Sequence, residues 1–347
     1  MKLKKTLAII LVTVMLLSAS LFSAEAAKKA TLPENFEFGI GPETEGYSID
    51  YRYFSPVKEN DTTKYPLVIW LHGMSDGLSD GVQITKSDIS NWTTDEYQSR
   101  FKNSGGAFIF APRSLEEKGM YWPDELVYPL RAAIDSFTEE HKENIDVTRI
   151  YIGGYSMGGL MTLKMAVAYP DMFAAIFPIC PAWIPDVDAT VHLKDTPVWV
   201  TSCASDPVVN YFLYVMPTWK NIVSCSNMPE NCRFSTLAVS LKPNAMPTFN
   251  GHNAWMSVTF DMFASGNKPY YTMKTQNGLG ENVEVTYPDG MISWLSGFTS
   301  DYDGAKATDG GNSDVLSSDA RVKGFDKVKR FAENFFTYIF YMFDITR

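Results

Sequence analysis

Histidine and cysteine are both scarce in this chain, and each occurs only four times among 347 residues. The cysteines form no C-x-x-C pair and the histidines are scattered, so neither residue type predicts a zinc site. Long apolar runs are missing too, because none after the first residues approaches the roughly 20 that a membrane-spanning helix needs. The sequence therefore predicts neither a metal-dependent nor a membrane-embedded protein, and no motif requires a cofactor.

Positive charge is also in deficit. The chain has 30 lysine and arginine residues against 40 aspartate and glutamate residues, which gives a formal net charge of -10. A surface of this charge repels the phosphates of nucleic acids and of anionic membranes. We therefore expect the partner to be a substrate rather than a nucleic acid or a membrane. The composition sets no oligomeric state.

The first 26 residues have the pattern of a secretory signal peptide. Three lysines near the start precede an apolar run over residues 7–17, and "AEA" at 24–26 has the small-x-small form of a cleavage site. No cysteine lies near that site, so a lipid anchor is not expected. The pattern predicts export to the periplasm or the extracellular space, with the mature chain beginning at Ala27.

All four cysteines lie in the part of the chain that would be exported. An oxidising compartment permits disulfides, and the spacing favours a bridge between Cys225 and Cys232 and a second between Cys180 and Cys203. Four buried thiols are the alternative, since free cysteine behaves as a small apolar residue.

The order of apolar segments predicts an α/β fold. Short alternating runs over residues 36–57 indicate antiparallel strands at a sheet edge. Continuous apolar runs follow, typical of parallel strands buried on both faces, with helical patterns between them: "YPLVIWLHG", "GGAFIFAPR", "RIYIGG", "FAAIFPIC" and "PVWVTSC". We expect a mostly parallel, doubly wound sheet in residues 27–300, with chemistry at the carboxyl ends of the strands. Residues 301–347, a polar loop and an aromatic-rich helix, are expected to pack on it.

The segment "IYIGGYSMGG", residues 150–159, contains a G-x-S-x-G motif centred on Ser156. A strand before it and a helix after it are the context of a nucleophile elbow, a tight turn that exposes the serine hydroxyl. Such a turn aims the backbone N–H of Met157 at a developing oxyanion. The loop "LHGMSDG" is expected to supply a second donor, the N–H of Met74.

A serine nucleophile needs a base, and histidine is the side chain suited to that task near neutral pH. Of the four histidines, His252 in "FNGHNAW" follows the last strand candidate and is the predicted base. Asp206 follows the strand "PVWVTSC" and is the predicted acid, with Asp186 and Asp188 as rivals that do not directly follow a buried strand. The chain order Ser, Asp, His is that of the α/β-hydrolases.

Together with "GHNAW" and "ISWL", these motifs resemble the secreted α/β-hydrolases known as predicted peptidases, feruloyl esterases or polyhydroxybutyrate-depolymerase-like esterases. The resemblance covers about residues 60–296. It implies the α/β-hydrolase fold, with Ser156 as nucleophile, Asp206 as acid and His252 as base. Trp122 and Trp255 are candidates for an aromatic wall of the substrate pocket, although tryptophans more often fill the core.

These features predict a secreted serine esterase that works through an acyl-enzyme and needs no cofactor. Family resemblance and export favour acyl or feruloyl esters of plant polysaccharide as substrates. A serine peptidase and a polyester depolymerase are the alternatives within the same fold. A non-catalytic binding module is the alternative outside catalysis, and it is disfavoured because all three candidate triad residues are present.

Overall fold

The structure is a computed structural model that describes residues 32–74, 76–114, 121–238, 250–262, 273–285, 289–321, 323 and 325–342. The predicted signal peptide lies outside these residues. The chain divides into the units Met1–Leu32 and Pro33–Arg347, and every element below belongs to the second unit. None of the helices in the described ranges is long and apolar enough to cross a bilayer.

One mixed sheet runs through the described part of the chain. Its strands are β1 Glu37–Ile40, β2 Asp50–Phe54, β3 Tyr65–Leu71, β4 Phe108–Pro112, β5 Ile145–Tyr155, β6 Ala175–Ile179, β7 Trp199–Cys203, β8 Arg233–Leu237 and β9 Met273–Asn277. They lie in the order β1-β2-β4-β3-β5-β6-β7-β8-β9. Strands β4, β3, β5, β6, β7 and β8 pair in parallel, whereas β1, β2 and β9 pair antiparallel at the two edges. The predicted α/β sheet with antiparallel N-terminal edge strands is confirmed.

Helices cover this sheet and connect its parallel strands. They are α1 Val82–Thr85, α2 Asp95–Gln98, α3 Val127–Glu140, α4 Met157–Ala168, α5 Val187–Thr190, α6 Met216–Cys225, α7 Trp255–Thr259, α8 Met291–Leu295 and α9 Phe325–Met342. Short 3-10 helices occupy Ile89–Thr93, Asp124–Leu126, Val191–Leu193, Gly251–Ala254 and Ser313–Val315, and a π-helical turn spans Tyr211–Val215. The parallel pairing places the described residues that directly follow β3 to β8 at the carboxyl edge of the sheet.

The central strands are apolar because both of their faces are covered. All residues of β3, β4, β6 and β7 are buried. Parallel strands between two helical layers have no solvent face, so they need no alternation of polar and apolar residues. The edge strand β9, "MKTQN", is polar and half-buried, and its sequence gives no comparable signal.

The segment after residue 300 runs back across the helices and the loop after β6. Three backbone hydrogen bonds hold it and the residue before it. The N–H groups of Ser300, Asn312 and Ala320 donate to the carbonyls of Thr148 (2.8 Å), Ala168 (3.1 Å) and Ile184 (2.9 Å), respectively. Helix α9 then packs on the turn before α6, where Asn334 Nδ2 donates to the carbonyl of Phe212 at 2.6 Å. These contacts bring residues 316–321 to the carboxyl edge of the sheet.

All four cysteines are free thiols, so both predicted disulfides are wrong. Each sulfur instead contacts an oxygen of another residue: Cys180 the carbonyl of His252, Cys203 the hydroxyl of Ser205, Cys225 that of Thr190 and Cys232 that of Ser226. Burial raises the pKa values of the Cys203 and Cys232 thiols and favours their neutral form. The free-thiol alternative holds, with Cys225 half-buried.

Candidate active site

Ser156 occupies a strained turn between β5 and α4. Its backbone has φ 57° and ψ -114°, outside the regions that residues other than glycine favour. Three backbone hydrogen bonds hold it there: its N–H donates to Ile179 at 2.9 Å, and its carbonyl accepts from Leu160 at 2.9 Å and from Ala182 at 3.3 Å. Such strain persists only where the surroundings enforce it, and it clusters at functional sites.

The glycines of the motif allow the turn to touch the end of β3. A Cβ atom on Gly158 would lie 2.1 Å from the carbonyl oxygen of Leu71, and one on Gly154 would lie 2.3 Å from the same atom. No side chain fits at either distance. The loop after β3, which contains Met74, therefore begins directly against the turn that holds Ser156.

Asp206 and His252 are joined by a hydrogen bond at the carboxyl edge of the sheet. The Nδ1 atom of His252 lies 2.9 Å from Asp206 Oδ2 and 3.2 Å from Oδ1. The Asp206 side chain is fully buried, and its Oδ1 also accepts the backbone N–H groups of Val208 and Val209 at 2.8 and 2.9 Å. A carboxylate at Nδ1 keeps the ring proton on that nitrogen and leaves Nε2 as an acceptor.

The rival acids lie elsewhere. Asp186 accepts from the N–H of Ala189 at 3.1 Å and so caps the short helix α5. Asp188 lies in the first turn of that helix. Asp206 is thus the candidate that contacts His252.

Two of the other histidines, His72 and His141, have structural surroundings. His72 is completely buried, with Nδ1 2.7 Å from the carbonyl of Gly73 and Nε2 accepting the N–H of Ser114 at 3.0 Å. Burial lowers the pKa of His72 to about 4, so its ring is neutral and orders the loop after β3. His141 packs against Phe137, and burial lowers its pKa.

The two tryptophans differ in their relation to the site. Trp122 is 1% exposed, its ring lies 4.9 Å from the ring of His72 at a tilt of 40°, and its Nε1 donates to the carbonyl of His72 at 3.0 Å. It supports the loop after β3 from the protein interior and does not form the pocket wall that the sequence suggested, because no face reaches solvent. Trp255 stacks on Tyr155 at 4.3 Å and lies 6.2 Å from the ring of His252. Its role in the pocket stays a prediction.

The oxyanion donors also stay predictions, and the structure gives their positions. Met157 is the first residue of α4, where backbone N–H groups have no partner within the helix. Met74 lies in the turn after β3 and is 54% exposed. Both backbones are at the carboxyl edge of adjacent strands.

Sequence reasoning missed a charged cluster behind the elbow. The hydroxyl of Tyr155, the residue before Ser156, donates to the carboxylate of Asp76, and Lys86 Nζ lies 2.8 Å from Asp76 Oδ1. Asp76 is 2% exposed and follows "LHGMS", a setting that indicates only a turn. The cluster connects the loop after β3 to the residue beside Ser156.

A second missed neighbour is Cys180. Within the described ranges, the group of three side chains that could ligate a metal is Cys180, Asp206 and His252, whose ligand atoms lie within 4.8 Å of one another. Burial raises the pKa of the Cys180 thiol, and His252 is already hydrogen-bonded to Asp206. The set therefore coincides with the candidate acid and base and is not a separate centre.

Asp76 gives a pH-dependent prediction for stability. Burial, opposed mainly by Lys86, raises its pKa from 3.8 to about 6. The folded protein therefore holds this proton more tightly than the unfolded chain, and the free energy of unfolding falls as pH rises from about 4 to about 6. Asp76→Asn should remove this decline of about 2 to 3 kcal/mol. Denaturant unfolding of both proteins at pH 4 and pH 7 measures it.

Asp80 provides the control for that measurement. Its hydrogen bond with Arg52 lowers its pKa, so the Asp80 carboxylate stabilises the folded protein more at neutral pH than at pH 4. Asp80→Asn should therefore be destabilised relative to the parent protein more at pH 7 than at pH 4, the opposite of the effect expected for Asp76→Asn. Equal differences between Asp76→Asn and the parent protein at both pH values would contradict the assignment for Asp76.

Comparison with known proteins agrees with this architecture. The sequence model of the family described as Phospholipase/Carboxylesterase matches residues 130–252, a range that includes Ser156, Asp206 and His252. A solved structure of a thermostable esterase is similar at 27% identity and a TM-score of 0.54, covering 66% of this chain and 61% of that one. The chain has the α/β-hydrolase fold. These likenesses support a hydrolase, although the chain spans only about three fifths of that esterase.

Solved structures of lower identity are also similar in fold. Est1E from Butyrivibrio proteoclasticus has 18% identity and a TM-score of 0.42, over 64% of this chain and 94% of that one. The acylaminoacyl peptidase of Pyrococcus horikoshii has 16% identity and a TM-score of 0.39, and the match covers 56% of this chain and 36% of that one. Among curated proteins, no match to the chain is found.

Proposed function

We propose that this protein is an exported serine hydrolase that cleaves carboxylic esters through an acyl-enzyme. One observation carries the proposal: the strained Ser156 lies at the same edge of the sheet as the hydrogen-bonded pair of Asp206 and His252. A serine, an imidazole and a carboxylate in this chain order are the parts of a nucleophilic triad. The predicted signal peptide supports export.

In the proposed reaction, His252 Nε2 takes the proton from Ser156 Oγ as that oxygen attacks the ester carbonyl. The N–H groups of Met157 and Met74 stabilise the tetrahedral oxyanion. Collapse of the intermediate breaks the bond to the alcohol, which leaves with the proton from His252. Water then attacks the acyl-enzyme with His252 again as base, which releases the acid and restores the serine.

Asp206 supports this chemistry from a fixed position. Its bonds to two backbone N–H groups and to Nδ1 prevent the carboxylate from rotating, so the ring of His252 keeps one orientation. The buried carboxylate also stabilises the imidazolium that forms when His252 accepts the proton. Neither the formation nor the hydrolysis of the acyl-enzyme requires a cofactor in this reaction.

Acyl or feruloyl esters on plant polysaccharide are the substrates that we propose. The resemblance of the motifs in residues 60–296 and the predicted export support this class. A serine peptidase of the same fold is the first alternative, because the same triad can attack an amide if the leaving amine is protonated. A polyester depolymerase comes next, and a non-catalytic binding module last.

One substrate panel tests the proposal. Residues 27–347 would be assayed with p-nitrophenyl acetate, methyl ferulate, acetylated xylan and a peptide anilide, and labelled in parallel with a fluorophosphonate probe. We expect ester turnover, with the probe on the peptide that contains Ser156. Turnover of the anilide alone would favour the peptidase. If the protein shows no turnover and is not labelled by the probe, the binding module is favoured.

A further inference from the structure

A cavity of about 310 Å³ lies beside the nucleophile elbow. Two of its lining residues, Leu160 and Ala182, direct their backbone N–H groups at the carbonyl of Ser156, at 2.9 and 3.3 Å. A third, Asp124, belongs to the connection after β4. The cavity is therefore at the carboxyl edge of the sheet, where α/β folds bind their ligands.

The segment after residue 300 forms part of the wall of this cavity. Residues 316–319 and Arg321 line it, facing α4 and the loop after β6. Trp183 holds that segment in place, since its Nε1 donates to the carbonyl of Ser318 at 2.7 Å. Residues 316–319 and Arg321 thus line the same cavity as Leu160 and Ala182, the two residues whose N–H groups contact the carbonyl of Ser156.

The polar groups of the cavity are balanced in charge. The ammonium of Lys164 pairs with the carboxylate of Asp124, and the guanidinium of Arg321 pairs with Asp319. Lys164 is only 8% exposed, and its Nζ lies 5.3 Å from the centre of the Trp183 ring. Two cations and two carboxylates therefore face a space that is large enough for a small organic group.

The paired charges determine which part of an ester substrate the cavity can bind. An apolar acyl chain would remove water from four charged groups and return no hydrogen bond. An anionic group would meet the carboxylates of Asp124 and Asp319 at close range. A neutral polyhydroxyl group satisfies both signs, because each hydroxyl donates to a carboxylate and accepts from Lys164 or Arg321.

We propose that this cavity binds the polyhydroxyl alcohol part of the substrate, a sugar-like group, and that residues 316–321 make it a subsite. The inference rests on the proposed ester hydrolysis. It assigns the carbohydrate side of the ester to the cavity and places the acyl group elsewhere around Ser156. A sugar held here would bring its ester bond towards the elbow.

A second cavity supplies a matched control. It has about 250 Å³ and contains a similar set of groups, including an ion pair between Lys102 and Asp289. Its residues Trp199 and Arg233 are the first residues of β7 and β8, so it lies at the amino edge of the sheet. It is remote from the predicted nucleophile, and the proposal gives it no role.

The test compares a sugar ester with a sugar-free ester. Arg321→Ala and Asp319→Asn should each raise KM for acetylated xylo-oligosaccharide about tenfold, the effect of losing one hydrogen bond to a charged group. Both variants should keep kcat/KM for p-nitrophenyl acetate within about twofold of the parent value. Lys102→Ala should leave KM and kcat/KM unchanged for both substrates. Xylotetraose should inhibit p-nitrophenyl acetate hydrolysis competitively in the parent protein and about tenfold more weakly in Arg321→Ala.

The outcomes separate the two proposals. If the parent protein cleaves neither ester, the proposed function fails. If it cleaves p-nitrophenyl acetate but the variants lose activity equally on both esters, or lose none, ester hydrolysis stands and the subsite is overturned. Circular dichroism of each variant shows whether an equal loss comes from unfolding.

Discussion

Replacement of Ser156 by alanine should lower kcat for p-nitrophenyl acetate by about a millionfold, the loss expected when the nucleophile of a triad is removed. Alanine has no hydroxyl, so no acyl-enzyme can form and the pair of Asp206 and His252 has no proton to accept. The strained backbone at φ 57° is as tolerable for alanine as for serine, so the fold should persist. Steady-state kinetics and circular dichroism on both proteins measure the two parts of this prediction.

Two controls make the result specific to Ser156. Ser224→Ala replaces an exposed hydroxyl on α6 and should keep full activity. Intact-mass spectrometry of the quenched parent enzyme should show one added acetyl group, which Ser156→Ala lacks. Activity above about one per cent in Ser156→Ala would mean that another group is the nucleophile.

Asp206→Asn should lower kcat by about ten thousandfold, as loss of the orienting carboxylate does in other triads. The amide oxygen can still accept from Val208 and Val209, while its NH2 group donates to Nδ1 of His252. That donation moves the ring proton to Nε2, where it faces the serine and blocks acceptance of the Ser156 proton. The variant therefore keeps the geometry and loses the required tautomer.

The rival aspartate is the matched control for this variant. Asp186→Asn removes a helix-capping carboxylate of the same size and should keep kcat within about twofold. A variant pair with the opposite pattern, inactive at position 186 and active at position 206, would contradict the assignment of the acid. The same assay and substrate serve both measurements.

The central sheet could be predicted from the sequence because a strand buried on both faces appears as a continuous run of apolar residues. The runs that became β3 and β7 are apolar at nearly every position, and such segments have few other stable places in a domain. The polar strand β9 carries no such signal. Its place at the second edge depends on pairing with β8, which only the folded chain shows.

The candidate site divides along the same line. Ser156 could be located from the glycines around it, which are required because the turn approaches Leu71 too closely for a side chain. Asp76 could not, because its contacts with Tyr155 and Lys86 join residues that are distant in sequence. The disulfides failed for a related reason, since compartment and spacing permit a bond while the orientation of each thiol decides it.

The four free thiols bear on how this protein can be produced. A chain without a sulfur–sulfur bond to form needs neither an oxidant nor a disulfide isomerase to reach its native state. We expect it to fold equally well in a reducing bacterial cytosol and in an oxidising periplasm. Its folding yield should therefore not respond to the thiol–disulfide balance of the host.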